Sequence, residues 1–253
     1  MKKPVFQKLF LLIMILFGFI PIMAQETKTL SINDDLKLIP IQDSIFIHIS
    51  YHSLKAFGRF PSNGLVIIRK GKAILIDTPM TNEKTELLVS YLKNHMNIEV
   101  TQLIIGHFHD DCMGGLEYLQ SIGLGSLAHE LTIKKCQELD LPIPGLSFTK
   151  SFSMDFYGEE IICKYFGAGH TIDNITVYFP AQHLLFGGCL IKSMSSKNLG
   201  NTEDAIIKDW AASVQKIIQY YPEVQWVVPG HGAYGGPELL NHTIDLIQLE
   251  TLE

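Results

Sequence analysis

Four apolar stretches in this chain stop at glycine and then place a histidine or a cysteine. They read LIIGH at 103–107, FGAGH at 166–170, FGGC at 186–189 and VVPGH at 227–231. Each has the length and apolar content of a buried strand bounded by chain breakers. Glycine at the strand end permits a tight turn and close approach of backbones. Strand ends on one edge of a layered α/β fold converge in space. His107, His170, Cys189 and His231 are therefore expected to meet.

The first stretch carries more than one such residue. In HFHDD at 107–111, His107, His109 and Asp111 stand at alternate positions, which extended backbone turns to one side. Imidazole, carboxylate and thiolate are the donors that zinc prefers. Six donors exceed the four of one tetrahedral zinc and suit two Zn2+ ions. A closed structural zinc site also normally uses four, so an exported protein with a purely structural metal is the weaker reading.

Charge narrows the partners. The 253 residues hold 20 Lys+Arg against 26 Asp+Glu, a net −6, with no basic run. Nucleic acid and anionic membrane surfaces are poor partners for such a chain. Most of the positive charge at the N-terminus sits in Met1–Ala24. There Lys2, Lys3 and Lys8 lead into an apolar run from Leu9 to Ile20, followed by Pro21 and by Ala24 before Gln25. This is the pattern of a secretory signal peptide, and the run is short for a membrane span. No Cys follows it to take a lipid. Residues 1–24 are expected to be removed, leaving 25–253 as a periplasmic protein with no stable membrane association. That length suffices for one large core or two small domains. The four cysteines are too few and too scattered for a disulfide framework. Cys136 and Cys163 read as small buried residues.

Elsewhere, alternation predicts strands at 36–41, 44–50, 64–69 and 73–77, and later at 161–166, 174–179, 183–186 and 224–228. Helices are predicted from Thr81 to Met96, with Leu87, Leu88, Tyr91 and Leu92 inward, then at 116–121, at 127–139 behind Ser126, at 203–220, and from Pro237 onward. Residues 51–63 read as a long loop with Phe57 and Phe60, either a packed surface loop or a flap over substrate. His48 reads as structural or solvated, His52 is not expected to be a ligand, and His129 reads as a surface residue. Asp77, ending a buried strand, needs partners; it either caps the turn at Thr78–Pro79 or supports a metal site from behind. In the loop 191–204, Lys192 and Asn201 are either ordinary loop polarity or a cation and an amide donor beside Cys189. Asn201 or Thr202 is also placed to cap the helix after it.

Taken together, PSNGLVI at 61–67, IDTP at 76–79, HFHDD at 107–111, GHTIDN at 169–174, GGCLIK at 187–192, LGN at 199–201 and PGHG at 229–232 resemble the class B metallo-β-lactamases. The subclass resembled uses three histidines for one zinc and Asp, Cys and His for the other. Related thioester hydrolases and nucleases usually carry His directly after the motif aspartate and an Asp bridging the metals. Here Cys112 follows Asp111 and Cys189 stands at the later position. Gly106 stands where Ser or Thr is commoner, and Met80 where Trp is common.

The resemblance implies a four-layer αββα sandwich with the metals at one edge. It implies that His107, His109 and His170 bind the first zinc, and Asp111, Cys189 and His231 the second. It further implies hydrolysis of the β-lactam amide in penicillins, cephalosporins and carbapenems by a zinc-bound hydroxide, and hence antibiotic resistance. Asn201 would donate to the oxyanion, Asp111 would orient the nucleophile, and Lys192 would pair with the substrate carboxylate. Phe57 and Phe60 would cover its apolar part. A monomer is expected. The alternative is a zinc hydrolase of another ester, thioester or lactone on the same scaffold.

Overall fold

A computed structural model describes residues 29–55 and 58–252; the predicted signal segment and Phe57 lie outside them. Five strands pair in chain order as an antiparallel run: β1 (Leu30–Ser31), β2 (Leu36–Gln42), β3 (Ile45–Leu54), β4 (Gly58–Arg69) and β5 (Lys72–Ile76). The chain then crosses over through α1 (Asn82–Met96) to β6 (Glu99–Ile104). It passes α2 (Asp110–Met113) and α3 (Leu116–Ser121) to reach β7 (Gly125–His129), and α4 (Glu130–Leu139) to reach β8 (Leu146–Phe148). These last three strands add in parallel, as helical crossovers require.

A second sheet follows. β9 (Ser151–Phe156), β10 (Glu159–Lys164), β11 (Thr176–Phe179) and β12 (Leu184–Gly188) pair antiparallel. α5 (Ile207–Tyr220) leads to β13 (Trp226–Pro229), which joins β12 in parallel, and α6 (Glu238–Glu250) closes the chain.

Alternation along the strands sorts their side chains into layers. Ile74, Ile76, Val177, Phe179, Leu184 and Phe186 fill the space between the sheets. Their neighbours Ala73 and Leu75 face α1 and α3, packed with Leu88, Leu92 and Leu116. Tyr178, Leu185 and Val227 face α5 and α6, packed with Trp210, Val214, Ile217 and Leu240. The result is the αββα sandwich implied by the motifs. Burying each such side chain contributes about 1.5–3 kcal/mol.

The elements depart from the sequence reading at several points. Residues 51–63 are not a long loop. β3 and β4 stay paired out to Leu54 and Gly58, and Arg59 fastens the hairpin by stacking on Tyr51 at 4.0 Å and bonding Asp35 at 2.9 Å. The helix predicted over 127–139 starts only at Glu130, because residues 125–129 form a strand in which Ser126 and Leu127 find ladder partners in Leu103 and Ile104. Tertiary pairing overrides local pattern there. His129 is accordingly buried, not on the surface; its Nδ1 caps α4 from Leu131 N. Leu87 is exposed on α1, leaving Thr85, Leu88 and Leu92 inward. α5 starts at Ile207 with no side-chain cap, since residues 201–206 are held elsewhere, as described next.

Candidate metal centre and its cleft

Each predicted donor follows a strand end on one edge of the sandwich. The loop after β6 carries His107, His109 and Asp111, and the loop between β10 and β11 carries His170. Cys189 follows β12 and His231 follows β13. Local bonds shape these loops. Asn174 accepts from Thr171 N and donates to Gly167 O, folding the loop that presents His170. Asn63 donates to Pro229 O at 2.9 Å and Gly232 O at 2.8 Å, tying the His231 loop to β4. Gly230 approaches Cys189 so closely that a Cβ there would stand 2.4 Å from Sγ. Only glycine fits.

The structure brings all six donors together. His107 Nε2 lies 3.0 Å from His109 Nδ1, and the His107 and His109 rings stand 4.9 and 5.3 Å from that of His170. Asp111, Cys189 and His231 form a second set: Cys189 Sγ is 3.2 Å from Asp111 Oδ2 and 3.3 Å from His231 Nε2, which is 3.1 Å from Asp111 Oδ2. Asp111 also faces the first set, with Oδ1 3.6 Å from His107 Nε2.

The hydrogen bonds behind two of the rings fix their tautomers. His231 Nδ1 lies 2.7 Å from Pro61 O, which only accepts, so Nδ1 carries the proton. His109 Nε2 lies 2.9 Å from an Asp204 carboxylate oxygen, with the same consequence. His109 Nδ1 is left as a lone pair turned into the cluster, and His231 Nε2 is the nitrogen that its ring turns toward Asp111 and Cys189. His170 Nδ1 is buried with no hydrogen-bond partner. Unprotonated nitrogens, a buried carboxylate and a buried thiol converging in this way suit a zinc centre.

Electrostatics agree with that donor set. Burial pushes His107 down to about 3 and His170 well below its ordinary value, keeping both imidazoles neutral. The neighbouring Cys112 side chain draws the Cys189 thiol down to about 7. Burial opposes charge on Asp111, yet the His231 hydrogen bond and the neighbouring imidazoles hold its carboxyl well below the carboxylate range. Burial likewise opposes charge on His231, but Cys189 and Asp111 raise it well above the histidine range. A bound cation would take over the compensation that this proton provides.

An open cleft of about 690 Å³ lies over the donors, with Phe60, Met80, Lys192, Asn201 and His231 among its walls. Lys192 is buried to 9% exposure, and burial lowers its pKa. Its Nζ lies 5.1 Å over the Trp210 ring, with no carboxylate within salt-bridge distance among the described residues. Asn201 is exposed, and its Oδ1 accepts from Glu203 N at 3.2 Å, so it caps a turn rather than α5. His48 is buried against Asp77 O, and His52 bonds Ser50, as structural residues do. The Asp77 carboxylate serves the donor loop and not the turn at Thr78–Pro79. Sequence reasoning passed over Asp204, which belongs to no periodic pattern and follows no strand, and over the second use of Trp210, which reads only as one of the buried stripe of α5.

No family model matches the chain. A metallo-β-lactamase type 2 of Bacteroides fragilis is 37% identical over 238 residues, 94% of each chain. Among solved structures, a metallo-β-lactamase from Pontibacter korlensis superposes with a TM-score of 0.81 at 38% identity, covering 84% of this chain and 99% of that one. A Pseudomonas aeruginosa metallo-β-lactamase described in its mono-zinc form has a TM-score of 0.81 at 28% identity, covering 88% of this chain and all of the other. Identity at this level over nearly the full length of a curated relative, on the same fold, shows that the chain belongs to the metallo-β-lactamase family.

Proposed function

We propose that the protein is an exported, zinc-dependent β-lactamase that opens the lactam amide of penicillins, cephalosporins and carbapenems. One observation carries the reading: six zinc-type donors from four strand ends lie under a cleft whose walls hold Lys192 and Asn201. His107, His109 and His170 would hold one ion, and Asp111, Cys189 and His231 another. Zinc, when bound, supplies a Lewis acid and brings the pKa of water near neutrality, to about 7.

The chain's own groups do the rest. Lys192 takes the substrate carboxylate as a point charge, favoured because no acid among the described residues forms a salt bridge with it. Its buried stem and the Trp210 ring fix its position. Asn201 spends its carbonyl oxygen on Glu203 N, which leaves its amide N–H to donate to oxygen as the lactam carbonyl becomes tetrahedral. Asp111, held as a carboxylate, accepts a hydrogen bond from the attacking water and so orients it toward the lactam carbonyl. Phe60 offers an apolar wall. The Met1–Ala24 leader supports a periplasmic location, where β-lactams arrive before they reach the cell-wall machinery, and so supports a role in resistance. The enzyme is proposed to act as a monomer.

Purified protein loaded with zinc is to be assayed on a penicillin, a cephalosporin, a carbapenem and a thioester, with and without chelator. The reading expects lactam turnover that chelation abolishes and zinc restores. Turnover of the thioester alone would move the assignment to another hydrolase on this scaffold.

A further inference from the structure

Asp204 stands on the loop that also carries Asn201, three residues apart, yet its carboxylate reaches back to His109 Nε2 at 2.9 Å. The same loop is gripped a second time. Ile206 N donates to Gly169 O at 2.8 Å, the residue directly before His170. Within the loop, Glu203 N bonds Asn201 Oδ1 and Ala205 N bonds Thr202 O at 3.1 Å, so Asn201 and Asp204 form one folded unit. Just beyond, Trp210 bonds Leu190 O at 2.8 Å and lays its ring between His170, at 5.9 Å, and Lys192. Residues 201–210 therefore touch two of the three histidines on one side and carry or support both substrate-facing polar groups on the other.

We propose that Asp204 is a positioning residue that couples the substrate-holding loop to the three-histidine cluster. The proposal rests on the assignment of His107, His109 and His170 as zinc ligands. The physical argument is one of proton placement and orientation. A carboxylate only accepts, so it selects the His109 tautomer with hydrogen on Nε2 and turns the Nδ1 lone pair toward His107 Nε2, 3.0 Å away. In return, a metal-held His109 fixes the point to which Asp204 is tied, and with it the placement of Asn201. The Asp204 side chain is 37% exposed, so the pair contributes little to global stability. Its effect is on ligand orientation and on the loop.

The test compares wild type with Asp204→Asn and Asp204→Glu, using zinc itself as probe. Chelator-competition titration should show about 10- to 100-fold weaker zinc binding in D204N, with partial recovery in D204E. The 15N shifts of His109 should report hydrogen on Nε2 in wild type and a tautomer mixture in D204N. Zinc should slow amide exchange across 200–206 in wild type and much less in D204N, and KM for a β-lactam should rise more than kcat falls. Metal-free wild type and D204N should melt at the same temperature. The proposal is overturned if wild type loads zinc and D204N matches it in affinity, His109 shifts and loop exchange. If wild type takes up no zinc, the ligand assignment falls first and this proposal falls with it.

Discussion

Asp77 Oδ1 accepts the backbone N–H of Gly106 at 2.6 Å, immediately before the first site histidine. The second oxygen of the same carboxylate receives Cys112 Sγ at 3.1 Å, at the far end of the donor loop. One buried side chain at the end of β5 therefore pins both ends of the segment holding His107, His109 and Asp111. Gly106 is part of the arrangement. A Cβ there would stand 2.9 and 3.0 Å from the two carboxylate oxygens.

Removing that pin should cost both stability and metal. Asp77→Ala leaves the Gly106 N–H buried without a partner, a loss of about 1–3 kcal/mol. Asp77→Asn keeps an acceptor for Gly106 and should lose less. Denaturant unfolding of the metal-free proteins ranks them; equal midpoints for all three would contradict the pinning role.

Cys189→Ser replaces the soft donor shared by Asp111 and His231. The fold should persist, because the hydroxyl fits the space beside Gly230, while the second metal ion and most activity are lost. Metal analysis returning two tightly held zincs with full turnover would refute the ligand set.

Lys192→Ala should raise KM for a β-lactam with kcat less affected, since the ammonium binds a group remote from the reacting bond. An unchanged KM would remove the carboxylate role. The same variant should leave zinc content intact.

Acid stability should depend on His48. Burial pushes its pKa down to about 4 from 6.5. The unfolded chain takes up this proton below about pH 6.5 and the folded chain only near pH 4. Stability is thus full above pH 6.5 and declines as pH falls to 4, by about 3 kcal/mol from this group. His48→Gln should flatten part of that slope in urea melts between pH 7 and 4. A slope identical to wild type would show that His48 does not titrate this way.

The donor residues were legible because each follows an apolar strand and a glycine, a local signal that survives without knowledge of the fold. HFHDD added a second signal through its spacing. Dividing the six residues into the two proposed sets was not legible from spacing alone, and the geometry explains why: Asp111 faces both His107 and His231. The strands around Ile74–Ile76 and Val177–Phe179 were legible as apolar runs, while the sandwich they build was implied only by the resemblance of the motifs. β7 and the extent of the β3–β4 hairpin were not legible, because Ser126 and Leu127, and residues 51–54 and 58–61, become strand only through partners distant in sequence or across the hairpin. Asp204 and Trp210 escaped for a similar reason: a loop acid and a helix-stripe tryptophan acquire their roles only when the loop is folded against His109 and Lys192.

The most direct test of the central claim joins metal content to turnover on one sample. Wild-type protein, stripped with chelator and then titrated with zinc, should regain hydrolysis of a carbapenem or penicillin as the donor cluster fills, reaching full rate by two zinc ions per chain. Full lactam hydrolysis by protein shown to be free of metal, or none after two ions have bound, would contradict it.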